Sequence, residues 1–297
     1  MSTVQPLNAS VLRELPLPDS EEDADKDSRG RVLLVGGSAL SPGAVLLSGL
    51  AALRGGAGKI VVATAQPIAV QLGLIAPEFG IASMRPTSQG EPDAGDAALD
   101  RCLRNCDAIL LGPGLLDDNN ARALALRIFP ILKVPMVLDA AAITCFAGRF
   151  GALRAGGVPR IITPHAGEMA SLMGMSKNSV QNSSAEIAKN AARELDCLVV
   201  LKGATTYIAT PGGLMWRHDG GHCGLATAGS GDTLAGLLAA LLARGASPEA
   251  ASVWSVVVHA KAGTLLSTSV GPLGFLAREL PPLFPQLLHD LAQPSLQ

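Results

Sequence analysis

Short apolar strands alternate with Ala- and Leu-rich helical stretches along most of this chain. In the first unit, the strand Arg31–Val35 is followed by Ser41, a capping residue, and by Pro42, which suits the first position of a helix. That helix extends to about Arg54, and the strand Lys59–Ala63 comes next. Short turns between a strand, a helix and a second strand are typical of parallel strands joined by a crossover helix. The sequence therefore predicts an α/β fold with a mostly parallel sheet.

The same alternation continues towards the carboxyl terminus. Further strands are predicted at 107–111, 135–138, 160–162 and 198–201, and further helices at 94–104, 119–128, 184–195, 233–244 and 248–266, with a weaker amphipathic stretch between 274 and 291. An antiparallel pair of strands, Tyr207–Ala209 and Leu214–Trp216, is predicted around the turn Pro211–Gly213. Before the first strand, we expect the apolar residues between Val11 and Leu17 to pack, and the acidic run Asp19–Asp27 to form a solvated loop.

Most of the polar or glycine-rich loops follow the carboxyl ends of the predicted strands. These loops contain Gly36-Gly37-Ser38, Gly112-Pro113-Gly114, Asp139, His165 and Lys202-Gly203. Parallel α/β sheets bind ligands along this edge. We therefore expect the loops to meet in one cleft.

A glycine-rich turn opens the helix predicted at 233–244. Gly229, Ser230 and Gly231 can bring backbone N–H groups together at a helix N-terminus, where free donors and the helix dipole favour an anion. Asp232 places a carboxylate beside that anion site, which is repulsive unless the carboxylate acts as a base on a hydroxyl group. The alternative is that Ser230 or Asp232 only caps the helix. The other loops at the same sheet edge favour the catalytic interpretation.

Composition and charge exclude several classes of function. The formal net charge is -2 without a basic block, so nucleic acid is not an expected partner. No apolar run is long enough to span a bilayer, and Met1–Ser20 lacks the features of a signal peptide. The five cysteines show no Cys-x-x-Cys spacing, which favours reduced thiols in a cytoplasmic protein. His218 and His222 have a spacing that some zinc sites use, but two glycines lie between them, which argues against zinc.

Several glycine-rich and polar motifs follow one another along about residues 28 to 280. They are Val35-Gly36-Gly37-Ser38 with Gly43-Ala44, Gly55-Gly56-Ala57-Gly58, Leu111-Gly112-Pro113-Gly114-Leu115, Val137-Leu138-Asp139-Ala140, Thr163-Pro164-His165-Ala166-Gly167-Glu168, Leu201-Lys202-Gly203-Ala204-Thr205 and Ala228-Gly229-Ser230-Gly231-Asp232. In these motifs and their order the chain resembles the ADP/ATP-dependent NAD(P)H-hydrate dehydratases of the ribokinase-like superfamily. Gly-x-Gly-Asp alone is typical of the whole superfamily, whereas the Leu-Gly-Pro-Gly-Leu and Thr-Pro-His-x-Gly-Glu motifs indicate the dehydratase branch. The resemblance implies a three-layer α/β/α fold with a central, mostly parallel sheet flanked by helices. It also implies that residues 28–297 form a single domain behind a polar N-terminal segment, residues 1–27.

The resemblance implies a repair reaction. The family removes water from the S epimer of hydrated NADH and NADPH with ADP or ATP as the phosphoryl donor, and ADP gives AMP and phosphate in the bacterial type. Hydroxide is a poor leaving group, so phosphorylation of the hydroxyl would precede elimination. Mg²⁺ is the implied metal ion.

The resemblance also implies roles for individual residues. Asp232 would be the base and a substrate contact, and Gly229, Ser230 and Gly231 would form the anion hole. The implied nucleotide contacts are Lys202, Gly203, Ala204, Thr205, Thr206 and Gly231. The implied substrate contacts are Ala44, Gly114 and His165, and Glu168 would act on Mg²⁺ through water. In simpler interpretations, Gly114 shapes a turn, Lys202 is an exposed strand-end charge and His165 is a loop histidine with satisfied hydrogen bonds.

Further expectations concern partners and alternatives. The resemblance implies a homotetramer, and about 30 residues before the first strand are too few for a fused epimerase domain, so a separate epimerase is expected to supply the S form. The family often has a second acid after Asp139 where this chain has Ala141, which leaves a metal or ribose contact from this loop open.

One alternative function is a kinase for a small alcohol, which would release a phosphorylated product. Another is a nucleotide-binding regulator, against which the Asp232 carboxylate argues.

Overall fold

The computed structural model describes residues 4–18, 26, 28–154 and 157–293. In these ranges the chain forms ten strands: β1 Gln5–Pro6, β2 Arg31–Val35, β3 Lys59–Ala65, β4 Phe79–Met84, β5 Ala108–Leu111, β6 Met136–Leu138, β7 Arg160–Ile162, β8 Leu198–Leu201, β9 Thr206–Ala209 and β10 Met215–His218. They form one sheet in the order β1-β10-β9-β8-β7-β6-β5-β2-β3-β4. Only β9 runs against its neighbours, β8 and β10. The mostly parallel sheet is therefore confirmed, together with the antiparallel pair.

Thirteen α-helices lie within the same described ranges. They are α1 Ala9–Glu14, α2 Gly43–Arg54, α3 Gln66–Ile75, α4 Ala98–Leu103, α5 Asp118–Ile128, α6 Ala141–Thr144, α7 Gly151–Arg154, α8 Ala166–Met173, α9 Lys177–Asn182, α10 Ser184–Leu195, α11 Ser230–Ala243, α12 Pro248–Ser269 and α13 Phe284–Ala292. None of these helices has both the length and the apolar composition that crossing a membrane requires. All five cysteines are free thiols in the described residues.

Strand side chains alternate between the two faces of the sheet and divide the core into two clusters. On β2, Val32 and Leu34 pack in the cluster that contains α2, α11 and α12, whereas Leu33 and Val35 pack in the cluster that contains α5 and α10. Helices therefore cover both faces, and the three-layer α/β/α fold is confirmed. Burial on both faces also explains why the central strands are continuous apolar runs in the sequence.

Small residues allow α2 and α11 to pack closely. A Cβ at Gly236 on α11 would collide with the backbone carbonyl of Ser48 on α2. At the N-terminal end of α11, Gly229 lies against the side chain of Leu47. The glycines of α11 thus allow the two helices to approach closely, and this packing positions the start of α11 over the sheet.

Two local predictions differ from the structure, and some elements were not predicted, among them α3 and β4. The helix predicted at 94–104 is shorter, Ala98–Leu103, and the N-cap of α2 is Pro42 rather than Ser41, with no side-chain capping bond. β4 is an edge strand whose middle residues are half-exposed or exposed, so it lacks the continuous apolar pattern of the central strands.

The N-terminal segment packs against the sheet and the C-terminal helices. β1 pairs with β10, and the buried side chains of Val11 and Leu12 on α1 join the core cluster of α12 and α13. Trp254 Nε1 donates a hydrogen bond to the carbonyl of Leu15 at 2.7 Å. The predicted packing segment is therefore confirmed. Apart from Lys26, the acidic run Asp19–Asp27 lies outside the described residues.

Candidate active site

The predicted strand-end loops meet at one edge of the sheet. The backbone N–H of Gly37, after β2, donates to the carbonyl of Pro113, after β5, at 2.8 Å. The backbone N–H of Lys202, after β8, donates to the carbonyl of Pro164, after β7, at 2.8 Å. Gly112 has a φ of +126°, and a Cβ there would collide with the carbonyl of Asp139, after β6. Neighbouring loops are thus in direct contact, as the order of the parallel strands requires.

The N-terminal end of α11 presents free backbone donors. Gly229 is the N-cap with a φ of +87°, and no side chain makes a capping hydrogen bond there. The capping interpretation of Ser230 and Asp232 is therefore wrong. The N–H of Ser230 donates to the carbonyl of Thr227 at 3.3 Å, whereas in the described part of the chain the N–H groups of Gly231 and Asp232 donate to no acceptor. Two unpaired donors at a helix N-terminus form a site for an anion.

Lys202 reaches the same site from the end of β8. Its Nζ donates to Oδ1 of Asp139 at 3.1 Å, and Thr163 Oγ1 donates to the same oxygen at 2.7 Å. A Cβ at Gly231 would lie 3.1 Å from Lys202 Nζ, so the ammonium group lies directly over the start of α11. Lys202 is therefore not a merely exposed charge at a strand end. Asp139 and Thr163 hold it beside the free donors.

The site contains a charged cluster of Asp139, Glu168, Lys202 and Asp232. These charges affect the pKa values of Lys202 and Asp232. Burial raises the pKa of the Asp232 carboxyl to about 7, and the negative charges of Asp139 and Glu168 add to the rise. The ammonium group of Lys202 acts in the opposite direction on the Asp232 pKa. Burial opposes the charge of Lys202 itself, but the surrounding carboxylates raise its pKa above the ordinary value. Asp232 is thus a carboxyl group that titrates near neutral pH, which suits a general base.

His165 and Glu168 form a capping box at the start of α8. Nδ1 of His165 accepts hydrogen bonds from the N–H groups of Gly167 and Glu168, at 2.9 and 3.1 Å. Oε2 of Glu168 accepts from the N–H of His165 at 2.8 Å. The imidazole is nevertheless 60% exposed, so its outer edge remains accessible to a ligand. His165 therefore has satisfied local hydrogen bonds, and its backbone pairs with that of Lys202 at this edge of the sheet.

Ala44 and Gly114 lie against each other at the other side of this edge. Gly114 has a φ of +75°, and a Cβ there would lie 3.2 Å from the Cβ of Ala44 and 2.6 Å from the carbonyl oxygen of Ser41. Gly114 therefore shapes a turn, as the simpler interpretation holds. The same geometry brings the backbone of the β5 loop close to the start of α2.

We expect Gly114→Ala to destabilise the protein by about 3 kcal/mol, because the change combines a left-handed backbone with an overlap on a fixed carbonyl. Unfolding in urea measures the difference. The matched control is Gly148→Ala, where φ is +68° and no heavy atom lies within 4 Å of the new Cβ, so only the backbone cost of about 1–2 kcal/mol applies. If both variants lose the same free energy of unfolding, the overlap of the new Cβ at Gly114 with the carbonyl of Ser41 does not contribute to the loss.

The loop from Gly203 to Thr206 borders the cluster. Gly203 and Ala204 are exposed, and Thr205 Oγ1 donates to Oδ1 of Asp219 at 3.1 Å. Thr206 begins β9. The loop thus continues directly from Lys202, with exposed backbone groups at its tip.

The acidic side chains of this cluster determine how Mg²⁺ could be held. Among the residues that the structure describes, no three His, Cys, Asp or Glu side chains are arranged to hold a metal ion. The carboxylates of Asp139, Glu168 and Asp232 outnumber the single cation Lys202 in their electrostatic cluster. Mg²⁺ usually retains several waters and binds one or two carboxylates together with substrate phosphates. The residues therefore fit an ion that is held mainly by phosphate and water.

Sequence reasoning missed two polar groups that support the site. Thr163 holds Asp139, and the buried His259 on α12 contacts Ser230, with Nε2 3.3 Å from its hydroxyl and 3.0 Å from its carbonyl oxygen. Ser230 is buried, and its hydroxyl lies in the interior beside His259. Only the backbone of Ser230 therefore lies near the anion site. The sequence signal for His259 was weak, because it is one of several polar residues in the apolar helix, directly after Val256-Val257-Val258.

Comparisons with known proteins agree with one another. A family model described as NAD(P)H-hydrate dehydratase matches residues 32–285. The ADP-dependent (S)-NAD(P)H-hydrate dehydratase of Xanthomonas campestris pv. campestris is 45% identical over 289 residues, which cover 97% of this chain and 97% of that protein. The bifunctional NAD(P)H-hydrate repair enzyme Nnr of Moorella thermoacetica is 36% identical over 93% of this chain, which spans 52% of that protein.

A solved structure shows the same fold. The ADP/ATP-dependent NAD(P)H-hydrate dehydratase of Bacillus subtilis, co-crystallized with ATP/Mg²⁺, matches with a TM-score of 0.81 and 29% sequence identity. The match covers 97% of this chain and 99% of that chain. The structural likeness therefore extends over the sheet, both helical layers and the edge that carries the candidate site.

Proposed function

Because this chain belongs to the NAD(P)H-hydrate dehydratase family, we propose that it removes water from the S epimer of hydrated NADH and NADPH in a reaction that consumes ADP. The products are NAD(P)H, AMP and phosphate. The observation that carries the proposal is the position of Asp232, half-buried beside the free N–H donors at the start of α11 and close to Lys202. A base, an anion site and a cation lie together, as phosphoryl transfer to a hydroxyl group requires.

Asp232 is the base in this proposal. With a pKa near 7, its carboxylate forms near neutral pH and can take the proton of the substrate hydroxyl. The hydroxyl oxygen attacks the terminal phosphorus of ADP, the bond from that phosphorus to the bridging oxygen breaks, and AMP leaves. The carbon–oxygen bond of the phosphorylated substrate then breaks, phosphate departs, and the loss of a ring proton restores the dihydropyridine.

The anion hole stabilises the charge that develops on the transferred group. In the proposed anion hole of Gly229, Ser230 and Gly231, Gly229 provides the turn and Gly231 provides a free N–H, which the free N–H of Asp232 adjoins, whereas the N–H of Ser230 donates to Thr227 in this structure. Lys202 adds a positive charge that Asp139 holds in place. Groups that are oriented before the reaction stabilise developing charge without reorganising, which is their advantage over water.

The nucleotide and the substrate are proposed to contact different residues around Asp232. The nucleotide contacts are the segment Lys202–Thr206 and Gly231, supported by the exposed backbone of that loop next to the anion site. The substrate contacts are Ala44, Gly114 and His165, supported by their position around the same edge. Mg²⁺, which Glu168 would hold through water, would supply positive charge to the phosphates. Oε2 of Glu168 accepts the capping hydrogen bond, whereas Oε1 has only the contact with His165 Nε2 at 3.6 Å, and this second oxygen supports the role.

The remaining assignments concern the state of the protein in the cell. We assign a homotetramer, a cytoplasmic location and a functional pairing with a separate NAD(P)H-hydrate epimerase. Self-association is supported by α3, on which Val70, Leu74 and Ile75 are 71%, 80% and 65% exposed, since exposed apolar clusters mark association surfaces. The epimerase pairing is supported by the bifunctional relatives, whose name describes a combined repair enzyme.

A nucleotide-dependent dehydration assay tests the function. We expect the protein, with Mg²⁺, to restore reduced-nicotinamide absorbance from S-hydrated NADH when ADP is added, and to form AMP and phosphate in equal amounts. Running the assay with ATP in place of ADP defines the nucleotide preference, and the R epimer is the matched control. Accumulation of a stable phosphorylated alcohol, without recovery of NADH, would instead establish a kinase.

A further inference from the structure

His259 contacts the anion site from inside the protein. It lies on α12, is only 7% exposed, and is 29 positions from Ser230 along the chain. Its Nε2 lies 3.0 Å from the carbonyl oxygen of Ser230. A carbonyl oxygen only accepts, so Nε2 carries the proton and donates it.

A second donor holds the same carbonyl group. Thr233 Oγ1 donates to the oxygen of Ser230 at 2.8 Å, and Thr233 is fully buried. The carbonyl of Ser230 is therefore held on its inner side by a neighbouring helix through His259 and by its own helix through Thr233. Buried hydrogen bonds of this kind fix a single orientation, because the alternative leaves a buried polar group unpaired.

The orientation of this carbonyl determines where the anion donor points. The carbonyl of Ser230 and the N–H of Gly231 belong to one planar trans peptide unit, in which they point in opposite directions. Holding the oxygen towards the protein interior therefore directs the Gly231 N–H away from it. In the described residues this N–H has no acceptor, and Lys202 Nζ lies over Gly231.

We propose that His259 is a positioning residue for phosphoryl transfer, which acts through the Ser230–Gly231 peptide to aim the Gly231 N–H at the transferred group. The inference rests on the proposed function, because it assigns the anion site to the transferred phosphoryl group. His259 does not exchange protons with the substrate. Its burial lowers its pKa to about 4, and the charge of Lys202 acts in the same direction, so it remains neutral over the working pH range.

Two substitutions at His259 distinguish the effect of losing the N–H donor from the effect of changing the volume of the side chain. His259→Gln keeps an N–H close to the position of Nε2, whereas His259→Met keeps an unbranched side chain of similar reach without a donor. We expect kcat of His259→Met to fall about 10–100-fold, less than the loss of a whole oxyanion-hole donor, with the KM for ADP within about threefold of wild type. His259→Gln should recover most of the lost kcat. Neither variant should move the pH dependence of kcat/KM.

Two further variants complete the experiment. Thr233→Val removes the second donor at nearly constant volume and should also lower kcat with little change in the KM for ADP. Ser255→Ala is the control, because Ser255 lies buried on the same helix but donates to the carbonyl of Ser252 in its own helix. It should change only the melting temperature, and thermal unfolding of every variant identifies losses that come from misfolding.

Two outcomes would overturn the inference. One is a folded His259→Met protein with wild-type kcat, and the other is a His259→Gln protein as impaired as His259→Met. Failure of the proposed function is distinguishable from both, because it shows in the wild-type protein as absence of dehydration with S-hydrated NADH. If the wild type instead phosphorylates another alcohol, the same variants are compared in that reaction, since it uses the same anion site.

Discussion

Replacing Asp232 by Asn should lower turnover by about 10²–10⁴, the usual contribution of a general base, while ADP still binds. The carboxylate is the proposed base on the substrate hydroxyl, and Asn has the same shape without the ability to accept that proton. The expected ADP contacts belong to the loop after β8 and to the backbone of α11, which the change leaves in place. Single-turnover kinetics and calorimetric titration with ADP measure the two effects separately. Wild-type turnover in the variant would remove Asp232 from the chemistry.

Asp232→Asn should also change how the free energy of unfolding depends on pH. Burial raises the pKa of Asp232 from 3.8 to about 7 in the folded protein, so the folded state retains a proton that the unfolded state releases. The contribution of Asp232 to stability is therefore fully present below about pH 4 and is lost as the pH rises to about 7. Asp232→Asn should lack this decline and should gain stability relative to wild type across that range.

Urea unfolding at several pH values between 4 and 8 provides the measurement. Asp290→Asn is the matched control, because Asp290 is an exposed carboxylate on α13 that interacts with Gln286 on its own helix. Its stability curve should remain parallel to that of wild type. If the Asp232→Asn curve is parallel as well, the carboxyl group is not desolvated in the folded protein.

The sequence was sufficient to predict the parallel sheet and the edge that carries the site. Central strands such as β5 and β8 are buried on both faces, so each is a short apolar run between turn residues, and the loops that follow them are recognisable by glycine and polar side chains. The edge strand β4 and the preceding α3 lack this contrast, because β4 is partly exposed and α3 carries apolar residues on its exposed face.

The contacts that organise the site were beyond sequence reasoning because they join distant positions. Lys202 binds Asp139 across 63 positions, and His259 binds Ser230 across 29. The sequence placed Lys202 and Asp139 at the same sheet edge but left open which groups they contact. The capping box of His165 and Glu168 is different, since its spacing of three residues is a local pattern that could have been recognised.

Replacing Lys202 by Met should lower turnover by about 10²–10³ and weaken ADP binding, because the change removes the cation held over the anion site. Met fills similar space without a charge. Lys202 also lowers the pKa of Asp232, so its loss should move the acid limb of the pH profile of kcat/KM to higher pH. Lys177→Met, at an exposed position on α9, is the control and should leave turnover and the pH profile unchanged.

A double variant separates this catalytic effect from stability. Lys202→Met leaves the buried carboxylate of Asp139 without its cation, which destabilises the fold, whereas adding Asp139→Asn removes the unpaired charge. We therefore expect Lys202→Met with Asp139→Asn to recover most of the free energy of unfolding that Lys202→Met loses. Turnover should remain low, because the transferred group still lacks the cation. Recovery of turnover together with stability would show that Lys202 only supports the fold, and that the backbone donors of α11 are sufficient to stabilise the phosphoryl group.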